Sequence, residues 1–88
     1  MEFTKEQEDI IINCGVFGYN SEKIANVSGL ELSEVKKQMK YKNSKISVLL
    51  QKGIDMADYV IDLKLFNMTK AGDIKALEKL EMRKDNRS

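Results

Sequence analysis

From Ile46 to Leu63 the chain places Ile46, Leu49, Leu50, Gly53, Met56, Ala57, Val60, Ile61 and Leu63 at about 100° per residue, the angular step of an α-helix. Together they cover roughly half the circumference of one long helix. A face that wide calls for more than one neighbour, so the chain is predicted to be all-α, with further helices around this one. Gly53 and Ala57, one turn apart near the centre of the face, let another helix backbone approach closely, although the glycine costs about 1 kcal/mol of helix propensity relative to alanine. That neighbour is either part of the same chain or part of a second copy. Leu49, Gly53, Met56, Ala57 and Val60 are the predicted oligomerisation residues.

The remaining punctuation is helical too. Thr4 followed by Gln7 has capping-box spacing, and Phe3, Ile10, Cys14 and Phe17 fall on one side of the helix that follows. Gly15, Gly18 and Asn20 in "GVFGYN" end it. Ser21 is the expected N-cap of a short second helix, "EKIANVS", which Gly29 stops by adopting a left-handed conformation. Ser33 is expected to cap a third helix beginning "EVKKQMKYK". Gly72 ends the long helix and Asp73 caps the last one, "IKALEKLEMRK", with a narrow stripe of Ile74, Leu77 and Leu80. The expected fold is therefore five helices and no strand. Residues 1–45 form an N-terminal helix-turn-helix three-helix unit. Residues 46–84 follow as a helical packing and oligomerisation segment, made of the long amphipathic helix and a short C-terminal helix. Residues 85–88 are a polar tail, and the whole is a single compact domain.

Around Gly29 the offsets are specific. Ile24, Leu30, Val35 and Met39 are placed to pack two helices together, Ala25 is small where they cross, and Gly29 supplies the turn. Ser28 is the exception, because a larger apolar residue is more usual there. After the turn the charge changes sign. Residues 1–34 hold seven acids and two bases, a net of −5, whereas residues 35–52 hold six lysines and no acid, a net of +6; residues 53–88 balance at seven each. Lys36, Lys37, Lys40, Lys42 and Lys45, with Gln38, Tyr41 and Asn43 between them, offer a cationic strip able to neutralise phosphates while polar side chains approach base edges. In a helix-turn-helix the helix after the turn enters the major groove of double-stranded DNA. The alternative is a solvated lysine face. Over the whole chain the net charge is only +1, so a single copy should bind weakly and with strong salt dependence, and several copies would act together.

Other chemistry is poorly supplied. The chain has no histidine and one cysteine, which removes the usual general base, the commonest zinc ligand and a thiolate site. No enzyme, metal or cofactor is expected. Asp55, Asp58 and Asp62 lie on one side of the long helix and read as its solvated face. Cys14, within "IIINCGVF", reads as a small buried hydrophobe, and a lone cysteine suits a reducing compartment. No signal peptide and no apolar run long enough to span a bilayer is seen, so a soluble, cytoplasmic protein without membrane contact is expected. At 88 residues and 42% hydrophobic, the chain sits near the size at which one core suffices, and self-association would help it.

"YNSEKIANVSGLELSEVKKQM" and "MTKAGDIKALEKLEMRK", taken together, resemble the small subunits of tailed-phage terminases, the DNA-packaging proteins. In the second phrase Ala71, Gly72, Asp73, Ala76, Leu77 and Leu80 carry the likeness. The resemblance implies a homo-oligomeric, ring-forming, non-catalytic protein in the cytoplasm of the host cell. Such a protein recognises viral DNA, presents it to the terminase large subunit with its ATPase and nuclease activities, and regulates that subunit. By position, Ser33 to Lys45 would carry the DNA contact. Members of that family usually run well beyond 88 residues and finish with further segments, whereas this sequence ends in "EMRKDNRS". Two other readings share the residues around Gly29: a small helix-turn-helix transcriptional regulator, and a helical protein-interaction module whose lysines merely solubilise it.

Overall fold

A computed structural model describes residues 2–87; Met1 and Ser88, the outer ends of the predicted first segment and tail, lie outside the described residues. Among the described residues there are five helices and no strand: α1 (Lys5–Phe17), α2 (Ser21–Ser28), α3 (Leu32–Met39), α4 (Lys45–Lys70) and α5 (Ile74–Arg87). The all-α class is therefore as predicted. The chain divides into two compact units, Met1–Met56 and Ala57–Ser88, with the division inside α4 and not at 45/46.

In the first unit, local chemistry sets the helix ends. Thr4 Oγ1 accepts from Gln7 N while Gln7 Oε1 accepts from Thr4 N, both at 3.0 Å, which completes the capping box of α1. Gly18 ends α1 in the left-handed region at φ 72°, and Tyr19 N donates back to Cys14 O. Gly15, expected to help end this helix, is instead buried within it. The N-cap of α2 is Asn20 and not Ser21: its Oδ1 accepts from Lys23 N at 2.9 Å. Gly29 closes α2 at φ 77°, as the sequence predicts. Ser33 is not the N-cap, because α3 begins two residues earlier than expected, at Leu32 behind Glu31, which makes no side-chain cap.

The core of this unit joins Ile11, Cys14, Ile24, Ala25, Val35, Ile46 and Leu49. Ile11, fully buried, takes the central place on α1, whereas Phe17, predicted to face inward, is 63% exposed. Phe17 lies against Tyr19 instead, with ring centroids 5.3 Å apart, and Lys23 sits over the Tyr19 ring at 4.2 Å. Met39 is also more exposed than the crossing pattern predicts. Burial pushes the Cys14 thiol above its usual value. α1 and α4 meet backbone to backbone. A Cβ on Gly15 would fall on the carbonyl of Leu50, and a Cβ on Gly53 would fall on the carbonyl oxygen of Ile12 and lie 2.9 Å from Val16 N. The close approach foreseen at Gly53 is thus made within the chain.

In the second unit, α4 turns into α5 through Gly72 at φ 99°, with Asp73 N bonded to Met68 O and Gly72 N to Thr69 O. Asp73 caps α5 through Ala76 N at 3.1 Å, as predicted. Asp58 and Asp62 are not a plain solvated face. Arg83 of α5 reaches Asp62 at 2.6 Å and Asp58 at 3.1 Å, and Arg87 reaches Asp62 at 2.6 Å. Arg83 also accounts first for the Asp62 carboxyl being held below the usual aspartate value. α5 continues through Arg87, so residues 85–87 of the polar tail are helical.

Candidate nucleic-acid interface

The candidate interface rests on how α2 and α3 cross. Ile24 and Val35 are fully buried between them, Ala25 is buried and Leu30 packs against the same core. Ser28, the unusual residue of the pattern, is buried without being unsatisfied: its Oγ donates to Ile24 O at 2.6 Å and accepts from Leu30 N at 3.3 Å. Gln7 Nε2 donates to Ser28 O at 3.2 Å, which ties α1 to the turn. Helix order and turn fit a helix-turn-helix.

With Val35 turned inward, Ser33, Lys36 and Lys37 line the opposite, exposed side of α3, and Lys40, the C-cap residue just past its end, is exposed beside them. Lys36 and Lys37 stand in the last turn of α3, where cations also favour the helix end. Of the remaining candidates, Tyr41, Lys42, Asn43 and Lys45 are not on this helix. α3 stops at Met39, so Tyr41, Lys42 and Asn43 are exposed in the connection to α4. The stop has a local cause: Ser44 Oγ accepts from Ser47 N at 3.2 Å and starts α4.

Gln38 is drawn away from a reading role. Its Nε2 donates to Glu34 Oε1 at 3.1 Å and its Oε1 accepts from Ile46 N at 3.1 Å. Its carbonyl accepts from Ser44 Oγ at 2.6 Å and Ser47 Oγ at 3.1 Å. Lys45 is exposed but pairs with Glu8 of α1 at 3.1 Å. Lys52, not singled out in the sequence, is also exposed, on α4. Its signal was membership of the acid-free 35–52 segment. Met39, Lys40, Lys42, Ser47 and Gln51 line a groove beside the end of α3.

Of the predicted oligomerisation residues, Leu49 and Gly53 are buried in the first unit and Ala57 is half-buried, while Met56 and Val60 are exposed. No helix among the described residues is long and apolar enough to cross a membrane. Fold and site thus define an all-helical chain with an exposed lysine face on α3. Compared with protein-family models, with curated proteins and with solved structures, the chain matches none.

Proposed function

We propose that this chain is a non-catalytic DNA-binding subunit of a phage DNA-packaging terminase. In this reading several copies bind double-stranded DNA in the host-cell cytoplasm and present it to the large ATPase and nuclease subunit. The observation that carries the DNA part is the exposed face of α3 and its C-cap, where Lys36, Lys37 and Lys40 stand together behind a crossing built on Ile24, Gly29 and Val35. The packaging part rests on the sequence likeness in "KAGDIKALEKLEMR". Lysines at this spacing contact phosphates, while Ser33 and the exposed Asn43 approach base edges.

The test is a salt titration of binding to duplex DNA by fluorescence anisotropy. Replacing any one of Lys36, Lys37 or Lys40 with alanine should weaken binding uniformly across sequences and lower the salt slope by about one. A changed base preference with an unchanged slope would contradict the assignment of these lysines to phosphates. Binding of two chains to a short palindrome, without any effect on a large subunit's ATPase, would favour a transcriptional regulator instead.

A further inference from the structure

The connection between α3 and α4 displays an aromatic ring on a fixed frame. Tyr41 is 62% exposed, and among the described residues its ring makes no contact with another ring or with a cation. Its backbone is nonetheless held on both sides, because Tyr41 N donates to Gln38 O at 3.1 Å and Ser44 N donates to Tyr41 O at 3.2 Å. Leaving an aromatic side chain in water forgoes the burial that would stabilise so small a core. Fixing the backbone beneath it lowers the entropic cost of binding something to that ring. Lys40 and Lys42 flank Tyr41 in the chain; both are exposed, and neither is ion-paired among the described residues. The same two lysines line the groove beside the end of α3, together with Met39, Ser47 and Gln51. Ser47 Oγ donates to Gln38 O, and Gln51 Nε2 donates to Asp55 Oδ1 at 3.0 Å. Both side chains therefore keep an oxygen able to accept from a ligand's amino group.

We propose that the α3–α4 connection binds an unpaired nucleic-acid strand, with its phosphates on Lys40 and Lys42 in the groove and a base stacked on Tyr41. A cationic groove that tracks the backbone, next to an aromatic face that takes a base, is how single strands are held without sequence preference. The ring decides between the ligands that two lysines attract. An acidic peptide satisfies the lysines and leaves Tyr41 unused. A base inside a duplex offers only its edges, since its faces are covered by its neighbours in the stack. An unpaired base offers a face. The connection follows directly on Lys36 and Lys37 of α3, so one nucleic acid with a duplex part and an unpaired extension engages both. This inference rests on nucleic-acid binding by this surface, as in the proposed function, and adds the unpaired strand as its second ligand.

Fluorescence anisotropy of the full chain tests it, with a blunt duplex and the same duplex carrying a short oligothymidine tail. The wild type and Tyr41→Phe should bind the tailed duplex about fivefold or more tighter than the blunt one. Tyr41→Ala should lose that preference, and Lys42→Ala should reduce it, with thermal melts in circular dichroism equal to that of the wild type. The chain has no tryptophan, so Tyr41→Trp places a single reporter at the site, and free oligothymidylate should quench its fluorescence. A wild type without tail preference overturns the inference, as does a Tyr41→Ala variant that keeps it. Equal quenching of Tyr41→Trp by an oligoglutamate peptide overturns it as well. Quenching by oligothymidylate without salt-sensitive duplex binding keeps the strand site and removes the duplex reading. Salt-sensitive duplex binding with no tail preference removes the strand site alone.

Discussion

At Gly53 and Gly15 the obstacle to any larger side chain is backbone, the carbonyls of Ile12 and Leu50, so no rotamer change relieves it. Gly53→Ala should therefore destabilise the protein by about 1–3 kcal/mol in urea unfolding, even though alanine is the better helix former by about 1 kcal/mol. A stabilised variant would show that α1 and α4 do not approach this closely. Gly29 poses a different constraint, a positive φ with open space around it. Gly29→Val should cost about 1–2 kcal/mol through backbone strain alone, read as a lowered Tm. Gln38→Leu removes the acceptor for Ile46 N and the donor to Glu34. It should cost about 1–2 kcal/mol of stability and leave the salt slope of DNA binding unchanged.

At the scale of elements, what the sequence told correctly was what short-range geometry decides. Thr4, Gly29, Gly72 and Asp73 act on backbone groups within a few residues of themselves, and a linear pattern holds that information. Asn20 and Ser21 are both good caps, so spacing alone could not choose between them. Gly15 and Gly18 look alike in sequence; only the passage of α4 over α1 assigns one to a crossing and the other to a turn. The early end of α3 was illegible because "KYKN" carries no glycine, and its stop depends on Ser44 starting the next helix. The α4–α5 ion pairs span 21 and 25 residues, beyond any local pattern. They carry a pH dependence. The Asp62 carboxyl is held below its ordinary value of 3.8, chiefly by Arg83, so its stabilising contribution is full above that value and is lost as pH falls through the lower, folded one. Asp62→Asn should lose helicity relative to wild type at neutral pH, and the difference should shrink in circular dichroism as the solution is acidified below about pH 4.

For the whole molecule, a net charge of +1 conceals a −5 segment followed by a +6 segment, and the fold pairs Glu8 of the first with Lys45 of the second. That pairing was invisible in the sequence, whereas the exposure of Lys36, Lys37 and Lys40 was legible because Val35 fixes which side of α3 turns inward. Lys45 should therefore behave unlike the other lysines. Lys45→Ala should lower the salt slope of DNA binding by less than Lys37→Ala does, and Glu8→Gln should raise affinity slightly; equal slopes for both lysine variants would mean that Glu8 does not hold Lys45. The connection between α3 and α4 has a mechanical consequence as well. It looks like a loop, yet Gln38, Ser44, Ser47 and the amide of Ile46 are bonded across it. A flexible joint would absorb a pull on α3 as rotation of the connecting residues. Here Gln38 ties the end of the short helix to the first turn of the long one, so a torque on α3 is carried into that turn and not absorbed by the connection.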